Sequence, residues 1–116
     1  MLHENDIKEL YANFNKRDID GVLKLFDADV EWPNGWEGGY VNGHRQVRDY
    51  WTRQWAEIDP LVIPVGFNGL ADGRLQVEVK QTIKDKNGEL IAEGIVMHIY
   101  TFADGLISRM DIEIVS

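Results

Sequence analysis

The sequence predicts an α+β domain in which three helices precede a meander of antiparallel strands, and three observations predict it. Apolar residues recur at helical spacing through the first half of the chain. From Leu61 onward they alternate, and Asn-Gly and Asp-Gly pairs punctuate that alternating half. Helices gathered on one face of a curved sheet give this class. A chain of 116 residues has apolar material for one core, so a single domain over 1–116 is expected.

In the first helix Ile7, Leu10, Tyr11 and Phe14 fall at i, i+3, i+4 and i+7, with Asn5 or Asp6 placed to cap it and His3 left on a frayed end. Ile19, Val22, Leu23 and Phe26 repeat the spacing behind Asp18 as N-cap, and "NKRD" joins the two helices in a hairpin or corner. Gly21 costs roughly 1 kcal/mol against alanine inside a helix, which implies close packing there. "DVEW" is a short strand ending at Pro33, followed by a glycine-rich loop that reaches Asn42. Asn42 caps a third helix from Gly43 to Ile58, whose apolar side carries Val47, Trp51, Trp55 (or Gln54) and Ile58. Asp59-Pro60 ends it, because the residue before proline avoids helical dihedrals.

"LVIPVGF" is a strand with Pro64 on an edge or at a bulge. "RLQVEVKQTIK" alternates, with Leu75, Val77, Val79 and Ile83 on one side. "DKNG" is a hairpin turn whose Asn87 and Gly88 suit positive φ. "ELIAEGIVMHIYTF" is apolar on both faces and is expected to be buried on both. "ADG" turns the chain into the last strand, "LISRMDIEIV".

Composition removes several function classes. Lys plus Arg number 12 and Asp plus Glu 20, a formal charge of −8 that repels phosphate backbones and anionic membrane surfaces. Nucleic acid and membrane are therefore not expected partners. The absence of cysteine excludes disulfides, thiolate metal sites and a cysteine nucleophile. No run approaches the ~20 apolar residues of a membrane span, and "MLHENDIKEL" lacks the basic-then-apolar order of a secretory signal, so a cytoplasmic location is expected. His3, His44 and His98 share no ligand spacing with one another or with the acids, and no P-loop, G-x-S-x-G or dinucleotide fingerprint occurs. Neither a metal nor a cofactor is expected.

Three stretches, "RDIDGVLKLFDADVEW", "GYVNGHRQVRDYW" and "YTFADGLISRMDIEI", carry a resemblance to the nuclear transport factor 2-like superfamily, which includes SnoaL-like cyclases and ketosteroid isomerase. The resemblance covers nearly the whole chain. It implies a cystatin-like roll: a strongly bent, mostly antiparallel sheet wrapped around the helices, with an apolar pocket at one end of the cone. Residue by residue, the position of the isomerase base falls on Trp32 in "VEWP", that of its tyrosine on Leu10 beside Tyr11, and that of its protonated acid on His98. Tryptophan cannot abstract a proton, so isomerisation by that mechanism is excluded. The fold hosts many activities and does not choose among them.

His98 is the strongest candidate for chemistry. Val96 and Tyr100 share its side of the strand, which on the family pattern faces the pocket. It could act as acid or base near neutrality, with Tyr11 or Tyr100 as a hydrogen-bond donor, or be a core histidine satisfied by a carbonyl or hydroxyl. Trp32, Trp36 and Tyr40 are expected at the pocket mouth, with Trp51 and Trp55 as wall or core, and Val96, Met110 and Ile112 as lining. The ligand expected is a small apolar molecule, and the chemistry an isomerase, cyclase or hydratase step. The alternative is a non-catalytic dimeric module whose cavity is filled by its own aromatics. Glu31 is expected in solvent, and Glu37 is placed to reach a ligand.

The other face of the long strand carries Ile91, Ile95, Met97, Ile99 and Thr101, whereas its predecessor shows Gln76, Glu78, Lys80 and Thr82. An apolar strip facing away from the helices needs covering. A homodimer through that face is expected, with Arg109, Asp111 and Glu113 around the strip.

Overall fold

A computed structural model describes residues 3–114. The elements are α1 (Glu4–Asn15), α2 (Ile19–Leu23), β1 (Phe26–Pro33), β2 (Tyr40–Asn42), α3 (Gly43–Glu57), β3 (Ile58–Gly69), β4 (Leu75–Asp85), β5 (Leu90–Ala103) and β6 (Leu106–Ile114). The six strands form one sheet in the order β2-β1-β6-β5-β4-β3. Every pair is antiparallel except β1 with β6, which run parallel. The α+β roll is the class the sequence predicts. Val115, the end of the predicted last strand, lies outside the described residues.

The apolar stripe of α1 buries Ile7, Leu10, Tyr11 and Phe14. Its start differs from expectation. His3, not Asn5 or Asp6, holds the N-cap position, at φ 68° and without a side-chain cap. The His3 ring stacks on Phe102 with centroids 3.9 Å apart, so this end is docked rather than frayed. Asp18 does cap α2, accepting from the Gly21 N–H at 3.0 Å. A Cβ on Gly21 would come within 2.6 Å of Asp18 Oδ2 and 2.9 Å of Asn13 Nδ2, the close packing that the glycine implied. The helix stops at Leu23. Phe26 enters β1 instead, because Leu25 C=O already accepts the Ile107 N–H of the neighbouring strand at 2.9 Å.

Strand β2 is too short to be read from alternation; it pairs Tyr40–Asn42 with Glu31–Pro33 and turns the opening loop into a hairpin. Asn42 occupies the N-cap of α3 without a side-chain bond, and Gln46 Oε1 accepts its N–H at 2.8 Å instead. β3 is an edge strand with a register shift between Pro64 and Gly66, where the proline was expected at an edge or bulge. That edge is protected: Asn15 Nδ2 donates to Val62 C=O at 2.8 Å and Asn15 Oδ1 accepts the Val62 N–H at 3.0 Å. In the next turn Gly88 has φ 85°, but Asn87 does not enter the left-handed region.

One expectation for β5 fails. Leu90 to Ile95 are exposed on both faces, and burial is confined to His98, Ile99 and Tyr100. Tyr11 of α1 meets His98 and Tyr100 in the C-terminal part of this strand, where the burial lies. A register shift between Ile83 and Lys84 also leaves Ile91 opposite no residue of β4. Ile95, Met97 and Ile99 stay in register with Lys80, Glu78 and Gln76.

Candidate functional site

Between the concave face of the sheet and the helices lies a cavity of about 500 Å³. α1 supplies Phe14; β1 and its hairpin loop supply Trp32, Pro33, Asn34, Gly35 and Trp36. α3 adds Tyr50, Trp51 and Gln54, and β3 and β4 add Ile58, Pro60, Val62, Gln81 and Ile83. Val96 and His98 come from β5, Met110, Ile112 and Ile114 from β6. Among the described residues no carboxylate, lysine or arginine lines it. Aromatic rings form one wall. Trp32 stacks on Phe26 at 5.1 Å and meets Trp51 edge-on at 5.5 Å.

His98 sits in register between Val77 and Ile112 and is 5% exposed. Its Nδ1 lies 2.7 Å from Tyr11 Oη, and Tyr100 Oη donates to Tyr11 Oη at 2.8 Å. Burial pulls the His98 imidazole down to about 4, and no carboxylate opposes that effect. Burial likewise pushes the Tyr11 and Tyr100 hydroxyls up, Tyr11 being raised further by its neighbour Tyr100. At neutral pH all three groups are uncharged.

Of the residues expected at the site, Trp32, Trp36, Tyr40, Trp51, Val96, His98, Met110 and Ile112 line the cavity. Tyr11 and Tyr100 do not; their hydroxyls lie in the buried chain that ends at His98. Trp55 is also displaced from the lining: it stacks on Trp51 at 5.6 Å and meets Phe14 edge-on at 5.2 Å, with the Arg17 guanidinium 5.0 Å from its ring. Tyr40 stands at the rim and its polar end faces away. Its hydroxyl donates to Asp111 at 2.5 Å and its ring carries the Arg109 guanidinium at 4.5 Å. Glu31 is not simply solvated, since Arg109 donates to it at 2.9 Å. Glu37 is committed to Asn34 at 2.8 Å and Arg53 at 2.9 Å, bonds that hold its carboxyl below the usual range.

The sequence reading missed Tyr50 and Asn34. Tyr50 is buried, its hydroxyl pushed up to about 12 by burial, and it accepts from Gln54 Nε2 at 3.2 Å. Its place one turn after Val47, next to Trp51, carried the signal. Asn34 organises the hairpin loop: Oδ1 accepts from the N–H groups of Trp36 (3.2 Å) and Glu37 (2.7 Å), and its own N–H donates to Gly39 C=O at 2.8 Å. The glycine-rich loop is thus a folded rim that holds Trp36 beside the opening. Among the described residues no three His, Asp or Glu side chains converge as a metal-ligand set. No helix among them is long and apolar enough to cross a membrane.

The profile of the SnoaL-like domain matches residues 7–110. The chain belongs to the SnoaL-like domain family. No curated protein is similar enough in sequence to count as a relative. Solved structures similar to this SnoaL-like chain include a nuclear transport factor 2-like protein of unknown function from Burkholderia pseudomallei. It is 22% identical with a TM-score of 0.84, over 97% of this chain and 90% of that one. TerC, co-crystallised with polyporic acid, is 27% identical with a TM-score of 0.83, over 97% and 90%. Rv0760c from Mycobacterium tuberculosis, in complex with estradiol-17β-hemisuccinate, is 17% identical with a TM-score of 0.77, over 90% and 86%.

Proposed function

We propose that this SnoaL-like domain binds a small, flat, largely apolar molecule of polyketide or terpenoid type in the cavity between the sheet and the helices. The observation that carries the reading is the cavity itself: about 500 Å³, walled by Trp32, Trp51 and aliphatic side chains, and free of ionised lining groups. Volumes of this order suit a metabolite-sized ligand, and a few polar groups in an apolar wall orient one. Its polar groups are His98, Tyr40, Tyr50, Gln54, Gln81 and Asn34. TerC, at 27% identity, supports the reading as a similar chain co-crystallised with a small molecule. Any isomerase, cyclase or hydratase step centres on His98, since Trp32 stands where the family's base would be. Tryptophan quenching on titration with hydrophobic metabolites tests binding, because Trp32 and Trp51 form the wall. His98→Ala tests turnover, and activity retained in that variant removes His98 from the chemistry.

A second reading, a dimeric interaction module, draws on the outer face. Leu61, Ile63, Val65 and Ile95 are all exposed. A second copy of the chain packed on this face would cover them, with Arg109, Asp111 and Glu113 beside the strip. The two readings are compatible unless the cavity binds nothing.

A further inference from the structure

We infer that Tyr11 is a positioning residue: with Tyr100 behind it, it fixes His98 in the tautomer that presents Nε2–H to the cavity, so that the site selects ligands offering an oxygen lone pair there. Aromatic ketones, quinones and enolates are the class. The inference rests on the reading of the cavity as a binding site and names what that site recognises.

The argument is a count of protons. Three uncharged groups, Tyr100, Tyr11 and His98, own one hydrogen-bonding proton each and are joined by two contacts, of 2.8 and 2.7 Å. If Tyr100 donates to Tyr11 and Tyr11 donates to Nδ1, every tyrosine proton has an acceptor and the imidazole proton resides on Nε2. If instead Nδ1–H donates to Tyr11, one tyrosine proton is left over. Either Tyr11 passes its own proton to Tyr100 and strands that of Tyr100, or Tyr100 still donates and strands that of Tyr11. Tyr100 is 0% exposed and Tyr11 2%, and neither hydroxyl has another partner among the described residues. A stranded buried donor costs ~1–3 kcal/mol, which favours the first arrangement by roughly ten- to a hundredfold.

The exposed nitrogen follows from the same geometry. Nδ1 is turned to Tyr11, Nε2 has no protein partner among the described residues, and His98 borders the cavity. Trp55 Nε1, not a His98 nitrogen, is the sealed polar atom left without a bond among them. Nε2 is therefore open to an occupant. With the proton on Nε2 and the Nδ1 lone pair engaged, His98 has no lone pair to offer the ligand. It donates to an oxygen, and it polarises a carbonyl instead of removing a proton. The two tyrosines meet it from behind, the other polar groups of the cavity are the uncharged Asn34, Tyr40, Tyr50, Gln54 and Gln81, and among the described residues no carboxylate lines it to invert the preference.

Two measurements decide this. Long-range ¹H–¹⁵N correlation on ¹⁵N-labelled protein at neutral pH reads the tautomer directly, with His44 and His3 as internal references. The expected spectrum has a proton-bearing Nε2 and an accepting Nδ1 at His98; a proton resident on Nδ1 overturns the inference. Tyr11→Phe should move both His98 nitrogens toward the average of the two tautomers, which a purely structural role for Tyr11 would not do. The second measurement compares 9-fluorenone with fluorene, one ring system with and without the carbonyl oxygen. The ketone should bind wild type about tenfold more tightly, and the preference should shrink in Tyr11→Phe and disappear in His98→Phe. Equal affinities in wild type overturn the ligand class. If neither probe binds, the binding-site reading fails with its ligand class, while the spectrum still decides the role of Tyr11. If Tyr11→Phe does not fold, the wild-type tautomer and the wild-type probe pair remain decisive.

Discussion

Burial holds His98 at a pKa of about 4, whereas a histidine in the unfolded chain titrates near 6.5. Between those values the unfolded state binds a proton that the folded state does not, so stability rises with pH across the window and is lost as acid is added. The contribution is complete above the unfolded value and gone below the folded one. Each pH unit across the gap is worth about 1.4 kcal/mol, so acidification through it removes roughly 3 kcal/mol. Solvent offers little relief, because the ring is 5% exposed and faces Tyr11 and Tyr100 rather than a carboxylate. The comparison is wild type against His98→Gln, which keeps an acceptor for Tyr11 and does not titrate. Urea unfolding followed by tryptophan fluorescence, at about pH 7 and about pH 4 and fixed protein concentration, gives both stabilities. Wild type should lose about 3 kcal/mol more than the variant, a midpoint shift of ~2 M at a typical slope. Glu37 and Asp111, whose carboxyls lie below their usual range, titrate in both proteins and cancel. Parallel losses in the two proteins would refute the buried, neutral imidazole on which the site's chemistry rests.

Three further outcomes follow from the geometry. Light scattering at micromolar concentration should give twice 13.3 kDa, and Ile95→Glu on the exposed strip should return the mass of one chain; a wild-type monomer removes the dimer. Asn34→Ala deletes the acceptor for the Trp36 and Glu37 N–H groups, and should cost about 1–2 kcal/mol in urea unfolding while loosening Trp36, read as a change in fluorescence anisotropy. Gly21→Ala should destabilise by about 1 kcal/mol despite the better helix propensity of alanine, because the new Cβ displaces the Asp18 carboxylate that caps α2; a stabilised variant would contradict that packing.

Periodicity made the fold legible where an element is long and one of its faces is covered. The stripe of α1 corresponds to buried residues one by one, and in the alternation of β4 Leu75, Val77 and Val79 are buried while Ile83 is half-buried. It failed where the pattern is short or the cover partial. β2 has three residues, too few to alternate visibly. β5 is apolar on both faces along its whole length, yet composition does not say how far a helix reaches, and half of the strand stays exposed. The site was legible to the level of faces: the parity of β5 and β6 placed Val96, His98, Met110 and Ile112 on one side, and they do border one cavity. What parity cannot show is which side chain a hydroxyl meets 87 residues away, so Tyr11 read as a ligand donor when its hydroxyl lies against His98 Nδ1. Tyr40 lines the mouth as expected, but parity did not show where its hydroxyl goes. Its strand pairing with Pro33 sends the hydroxyl to Asp111 on the outer face while the ring stays at the rim.

The central claim, that the cavity is a binding site for a flat apolar molecule, meets its most direct test in a crystal of the protein grown with 9-fluorenone. The account predicts density for the ring system against Trp32 and Trp51, with the carbonyl oxygen within hydrogen-bond distance of His98 Nε2. A cavity closed by Trp36 and its neighbours, with no density for the probe at saturating concentration, would contradict it.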